Sequence, residues 1–380
     1  MFPKSIGIVP HRRRAGSAPV MPTKDPHGPI HHTHNLSRNG FGTRSAEDLM
    51  IPIPSPSGLA DVLLECSIVG SFTRIGYDAR SRMADWPHEP MNLTGQTAVV
   101  TGSSSGIGRA TAAGLLELGA DVIVTSRSAD RARTTAAELA SADPSPSPNP
   151  GAFRRGTATG LSLDTSSFSS IKTFVAALGK CSATIEMIAH NAGALLPTYQ
   201  TDDRGRELTL SSHLVGPYLL TKLLTPRLTS GARVIFMSSG GMYTQRLDVQ
   251  RLEMSEQSYK GAVAYARAKR GQVEMVTYLG PQLAPDIVLH SMHPGWVDTP
   301  GVDAGLPGFG KVMGPLLRNA EQGADTMVWL AAGGASHAKP GRFWLDREAR
   351  RTSYVPGTGT TRRERERLLH WLDEQIAPGL

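Results

Sequence analysis

The chain has 380 residues, of which 39% are apolar and 19% charged, with a net charge of +7 and two cysteines. That suffices for a sizeable α/β core, and it excludes a disulfide scaffold or a Cys-rich metal site, so a reducing compartment, the cytoplasm, is expected. Seven basic residues against three acids in 1–58 account for +4 of the charge, and no basic stripe interleaved with aromatics follows. Neither a nucleic-acid partner nor an integral membrane segment, which needs ~20 apolar residues, is therefore expected.

Residues 1–58 carry nine prolines, six glycines and five histidines, a composition that reads as a disordered extension. The histidines at 27, 31, 32 and 34 lack a Cys or carboxylate at ligand spacing, so no metal is expected. The basic, acid-free stretch 1–14 leaves organelle targeting open as an alternative to the cytoplasm, and an upstream start as another origin of the extension. In the segment 59–92, Leu59, Val62, Leu63, Cys66 and Val69 recur at helical spacing. Such a short helix either covers the following domain or rests on a membrane surface, and its lack of basic residues favours the domain.

From residue 93 to 380 strands and helices alternate, which predicts one Rossmann-type, doubly wound parallel sheet with helices on both faces. Residues 96–101 read as a buried strand, followed by Gly102-Ser-Ser-Ser-Gly106-Ile-Gly108 and a helix over 109–118. Glycines at such a turn let the backbone approach a dinucleotide pyrophosphate held by the helix amides. A second strand, 121–125, ends in Ser126-Arg127. An acid there would take a ribose 2′-hydroxyl, whereas an Arg takes a 2′-phosphate, so NADP is expected, with NAD possible if Arg127 is only a solvated strand end. Helix 129–140 precedes a proline-rich insertion, 143–151, read as an extended surface loop. Strand 158–163 ends in Asp164, helix 168–178 follows, and strand 184–189 runs into Asn191-Ala192-Gly193.

A helix over 206–228 carries His213, and strand 233–237 delivers Ser238-Ser239-Gly-Gly-Met-Tyr243. The next helix, 262–279, holds Tyr265 and Lys269 four residues apart on one face. A neighbouring ammonium lowers a phenol pKa from about 10 toward the working pH, although the spacing alone equally fits a pair on a solvated face. Strand 287–292 leads into His293-Pro-Gly-Trp-Val-Asp-Thr299 and a glycine-rich stretch, 302–314, read as a lid. Helix 321–332, strand 341–345 and a terminal amphipathic helix, 363–376, complete the chain.

Thr101-Gly-Ser-Ser-Ser-Gly-Ile-Gly108, Asn191-Ala-Gly193, Ser239, Tyr265-x-x-x-Lys269 and Pro294-Gly295, in this order, resemble the short-chain dehydrogenase/reductase (SDR) superfamily. More narrowly, Ser71-Phe-Thr-Arg-Ile-Gly-Tyr77, Tyr265-Ala-Arg-Ala-Lys-Arg270 and Glu321-Gln-Gly-Ala-Asp-Thr-Met327 resemble the dehydrogenase/reductase SDR family member 12 group, over roughly 59–376. The resemblance implies an oxidoreductase that moves a hydride between nicotinamide and a carbonyl or alcohol. It makes Tyr265 the proton donor or acceptor, Lys269 its partner at the nicotinamide ribose, and Ser239, preferred over Ser238, the holder of the substrate oxygen. It places Gly102, Ser104, Ser105, Gly106, Ile107 and Gly108 at the pyrophosphate, Asp164 at the adenine, and Asn191, Ala192 and Gly193 at the ribose. Pro294, Gly295, Val297 and Thr299 fall on the carboxamide side. Many members have an Asn where this chain has His213; a His there either holds a water in a pH-sensitive proton relay or is a satisfied helix residue. A small lipophilic carbonyl or alcohol is the expected partner, with Trp296, Met242, Tyr243 and Phe309 as candidate walls. The competing reading is a non-catalytic NAD(P)H-sensing protein, and a monomer or homodimer is expected.

Overall fold

A computed structural model describes residues 61, 68–84, 86, 91–142, 154–283, 285–298, 313–336, 338–354 and 359–380. The extension 1–58, most of the helical repeat 59–69, the insertion 143–151, Thr299, Phe309 and all but the end of the expected lid lie outside the described residues.

Eight strands form one sheet: β1 (Thr97–Val100), β2 (Asp121–Ser126), β3 (Ala158–Ser162), β4 (Ile185–His190), β5 (Leu228–Met237), β6 (Ile287–Met292), β7 (Phe343–Leu345) and β8 (Glu348–Arg350). Their spatial order is β3-β2-β1-β4-β5-β6-β7-β8, parallel throughout except for the antiparallel pair β7–β8. Successive strand residues serve opposite faces, as a period of two requires. Val99 and Ile123 point into one core, while Ala98, Val100, Val122 and Val124 point into the other.

One face is covered by α3 (Gly106–Glu117), α4 (Ala129–Ser141) and α8 (Ala320–Ala331) through Leu115, Leu116, Leu139, Met327 and Leu330. The other is covered by α5 (Phe168–Cys181), α6 (residues 208–224), α7 (Gly261–Leu283) and α9 (Arg362–Ile376). Caps set where several of these begin. Ser128 and Ser167 accept a bond from the first turns of α4 and α5, and Asn319/Gln322 and Thr361/Glu364 form reciprocal capping boxes on α8 and α9.

Helix α6 departs from expectation. It starts as Leu208–Leu210, widens into a π-helical turn at Ser211–Val215, and ends as Gly216–Leu224. Pro226, in the tight turn Thr225–Arg227, lacks the N–H that would continue it. Strand β5 consequently starts earlier than its apolar run suggests, pairing Leu228 with Ile185. Ahead of the sheet, α1 (Ile68–Phe72) and α2 (Arg74–Met83) form a short helical hairpin against the domain.

Candidate active site

The chain runs outward from β1 to β3 and then returns to place β4 on the other side of β1, so a crevice opens at the carboxyl ends of β1 and β4. A cleft of about 730 Å³ lies there. Of the catalytic and cofactor residues expected from sequence, all eighteen that are described, from Gly102 through Tyr265 to Val297, line it, and Thr299 lies outside the described residues.

The glycine turn is fixed by hydroxyls. Thr125 Oγ1 accepts from Gly102 N (3.0 Å), Ser103 Oγ accepts from Thr125 N (2.8 Å) and donates to the Val100 carbonyl (2.8 Å), so the turn is tied to the end of β2. Gly102 has φ +65°, and a Cβ there would lie 2.8 Å from Ala192 Cα. A Cβ on Gly108 would collide with Asn191 Nδ2 and the Gly102 carbonyl. Ser105 stands at the N-cap of α3 without a side-chain capping bond. The result is a tight cradle, with no room for a side chain at Gly102 or Gly108, in front of an uncapped helix terminus, which suits a dinucleotide pyrophosphate.

Asn191 does more bracing than sequence reasoning assigned to it. Its Nδ2 donates to the carbonyls of Thr101 (2.9 Å) and Gly102 (3.1 Å), locking the end of β4 to the glycine turn. The Asp164 carboxylate accepts from Ser166 N (2.9 Å) and Ser166 Oγ (2.6 Å), which shapes the rim after β3. Arg127 reaches the cleft together with Arg131 from the first turn of α4. Sequence reasoning missed Arg131; the available signal was a second cation four residues on, at a helix start.

At the other end, Ser239, Tyr265, Lys269 and His213 converge. Ser238 Oγ turns inward and donates to the Lys269 carbonyl (3.0 Å), whereas Ser239 Oγ accepts from Gly241 N (3.2 Å) and hydrogen-bonds Tyr265. Of the two serines, only Ser239 faces the phenol. Lys269 Nζ lies 5.5 Å from the Tyr265 ring centroid and donates to the Met237 carbonyl (2.6 Å). Burial pushes the Lys269 pKa down to about 7. Tyr265 keeps some solvent access, but desolvation raises its pKa, opposed by the Ser239 bond. The expected depression of the phenol by Lys269 is thus absent. Burial dominates at the phenol, and it disfavours the charged form of each group separately.

His213 is buried, with its ring edge-on to Tyr265 at 5.0 Å between centroids. Its Nε2 bonds the Ala194 carbonyl (2.9 Å), so that nitrogen carries the proton, and Nδ1 has no hydrogen-bond partner among the described residues. Burial first, then the Lys269 charge, pushes its pKa to about 3, so the titration near neutrality expected from an ordinary His does not occur. The π turn presents this ring so closely that any Cβ at Gly193 would collide with it.

Of the expected substrate walls, Trp296 lines the cleft. Met242 and Tyr243 do not: Met242 is fully buried against Arg270, and the Tyr243 hydroxyl donates to the Arg351 carbonyl (2.8 Å) on the far side of that turn. The tight turn Gly240–Thr244 rotates them away from Ser239. In their place Leu195, Leu196, Leu208 and Ala262 form the apolar wall, a set scattered over three segments and hence without a local signature.

Among the described residues no His/Cys/Asp/Glu cluster could hold a metal, and no helix is long and apolar enough to cross a membrane. Residues 96–305 match the family described as short chain dehydrogenase. Dehydrogenase/reductase SDR family member 12 from Bos taurus is 34% identical over 307 residues, covering 80% of this chain and 93% of that protein. Retinol dehydrogenase 14 from Homo sapiens is 30% identical over 270 residues, covering 68% of this chain and 80% of that protein. Among solved structures, the RhlG/NADP active-site complex from Pseudomonas aeruginosa superposes with a TM-score of 0.53 at 24% identity, covering 68% of this chain and 96% of that one. With its glycine cradle, parallel sheet and Ser-Tyr-Lys cluster, this chain belongs to the short-chain dehydrogenase/reductase family, oxidoreductases that use a nicotinamide cofactor.

Proposed function

We propose that this chain is an NADP-dependent reductase of a lipophilic ketone or aldehyde, with Tyr265 as proton donor. The observation that carries this reading is the convergence of Ser239, Tyr265 and Lys269 on one wall of the cleft whose opposite end holds the glycine cradle and two arginines. The cradle and the α3 amides would hold the pyrophosphate, and Arg127 with Arg131 the 2′-phosphate, at a strand end with no acid at Ser126 or Arg127. When bound, the nicotinamide supplies the hydride.

The protein's own residues then handle the oxygen. Ser239 Oγ donates to the substrate carbonyl oxygen and fixes it beside the phenol, an electrostatic contribution of ~3 kcal/mol for one preorganised donor. Tyr265, its pKa raised by burial, is fully protonated near neutrality and so is poised to give a proton, which favours the reductive direction. Lys269, with a pKa of about 7, supplies a cation beside the developing phenolate more fully as pH falls below 7. Leu195, Leu196, Leu208 and Trp296 exclude water and accept an apolar substrate body. The names of a retinol dehydrogenase and of an NADP complex among the similar proteins support the lipophilic substrate and the cofactor choice.

The face of α6 and α7 is covered by α9 of the same chain, which favours a monomer. The exposed thiol of Cys181 fits a reducing compartment such as the cytoplasm.

The test is NADPH oxidation over a panel of lipophilic aldehydes and ketones. Tyr265→Phe should lower kcat by at least about 100-fold, the lower end of what proton transfer contributes, while NADPH still binds. Turnover that survives this substitution would sink the mechanism. Tight NADPH binding by the wild-type chain without turnover on the panel would favour a cofactor sensor instead.

A further inference from the structure

We infer that Phe72, outside the short chain dehydrogenase match, is a positioning residue for the nicotinamide end of the site, joining the turn that carries Ser239 to the turn that carries Pro294 and Trp296. The inference rests on the reading of the cleft as a nicotinamide-dinucleotide site. Three contacts support it. The Phe72 carbonyl accepts from Trp296 N at 2.7 Å. Its ring meets His293 edge-on at 4.5 Å and Trp296 at 5.9 Å between centroids. The same ring lies so close to Gly240 that a Cβ there would be 2.8 Å from Phe72 Cε2. One side chain therefore spaces Gly240, next to Ser239, from the 293–296 turn, and both turns line the cleft.

Phe72 is held from behind by charges that belong to neither turn. Arg318, buried, donates from Nη2 to the Ser71 carbonyl (3.1 Å) and from Nε to the Thr73 carbonyl (3.3 Å), the residues on either side of Phe72. Its remaining bonds go to the buried Asp346 carboxylate (2.5 and 2.9 Å), in the turn between β7 and β8. Arg80 of α2 also grips Asp346 (2.8 Å), the Ser71 carbonyl (3.0 Å) and Ser71 Oγ (3.0 Å). Gly295, φ +78°, has no room for a side chain, because a Cβ would collide with Arg318 and lie 2.7 Å from the Phe72 carbonyl oxygen. A residue clamped this firmly on its backbone, with its ring wedged between two site turns, acts as a spacer. Removing the ring lets the turns drift, and misplacement by about 1 Å can cost 10²-fold in a positioned reaction.

The experiment compares NADPH with 2′,5′-ADP, which lacks the nicotinamide half, by titration calorimetry on wild type, Phe72→Ala, Phe72→Leu and Ile75→Ala. Ile75 is 52% exposed on the same hairpin and serves as control. Phe72→Ala should weaken NADPH at least fivefold while 2′,5′-ADP stays within twofold; Phe72→Leu should recover most of the loss, and Ile75→Ala should change neither. A merely structural role would weaken both ligands together, and that result, or an unchanged NADPH affinity, overturns the inference. Should Phe72→Ala not fold, Phe72→Leu carries the same comparison with a smaller expected split. Should the wild-type chain bind NADH in preference to NADPH, the pair becomes NADH against ADP, so an error about the 2′-phosphate leaves this test standing. A wild-type chain that binds none of these ligands overturns both readings.

Discussion

Arg131 sits in the first turn of α4, four residues after Arg127, and both line the cleft. If they share a 2′-phosphate, each forms charge-assisted bonds of roughly 1.5–3 kcal/mol, so Arg127→Ala and Arg131→Ala should each weaken NADPH by about 10- to 100-fold. NADH affinity should stay within about threefold, and equal losses for both cofactors in calorimetry would remove the assignment. Much of the site is legible in the sequence, because residue type and spacing carry the chemistry of Gly102, Gly108, Tyr265 and Lys269. Arg131 is not, since which side of a helix start faces the cleft depends on packing. The environment of His213 is not legible either. Its low pKa comes from Gly193, Tyr265 and Lys269 closing around it, and only the folded chain brings these together.

Helix α9 is fixed by its packing against the core. Leu368, Leu372 and Ile376 are fully buried in the core shared with α5, α6 and α7, and its flank is pinned by Tyr218 to Asp373 (2.7 Å) and Arg365 to the buried Glu274 (2.6 Å). Leu372→Ala should cost about 2–5 kcal/mol in urea unfolding, as large-to-small changes in a packed core do. A loss under about 0.5 kcal/mol would mean that the helix is docked only loosely. This helix is readable from its apolar spacing and its Thr361/Glu364 box. The β7–β8 hairpin is not: its two connecting residues, Asp346 and Arg347, have φ of 52° and 58°, a sign that turn chemistry associates with Asn-Gly. Ion pairs from Arg318 and Arg80 to Asp346, and from Asp325 to Arg347 (2.6 Å), hold a conformation that the dipeptide alone does not favour. The π turn in α6 is equally hidden, since its apolar positions also fit an ordinary helix.

The whole molecule is built with neutral histidines inside it. Burial pushes His190, His213 and His293 to about 3, and His290 to about 4. Each folded pKa lies below the unfolded value of about 6.5, so the unfolded chain binds more protons and stability falls as pH drops from 6.5 toward 3. At pH ~4.5 each of the first three costs roughly 2–3 kcal/mol, together comparable to the ~5–15 kcal/mol that holds a domain folded. Melting temperature should therefore fall steeply below about pH 6.5, with cooperative unfolding above about pH 4; His190→Gln should move that midpoint down. A flat profile from pH ~7 to ~4.5 would contradict the buried neutral histidines. The doubly wound parallel topology, by contrast, is readable from the alternation of elements, because a crossover helix between parallel strands leaves few arrangements. The clamp behind Phe72 adds a consequence in time. Arg350 pairs with Asp61 across 289 positions of chain, and Arg80 reaches Asp346 across 266. At the ~5–20 residues per second of synthesis, the amino-terminal hairpin waits about a quarter of a minute to a minute for its partners to emerge. The nascent chain completes its glycine cradle well before Arg318 and Asp346, which clamp the backbone around Phe72, have emerged, so the support behind the 293–296 turn is among the later parts of the molecule to be made.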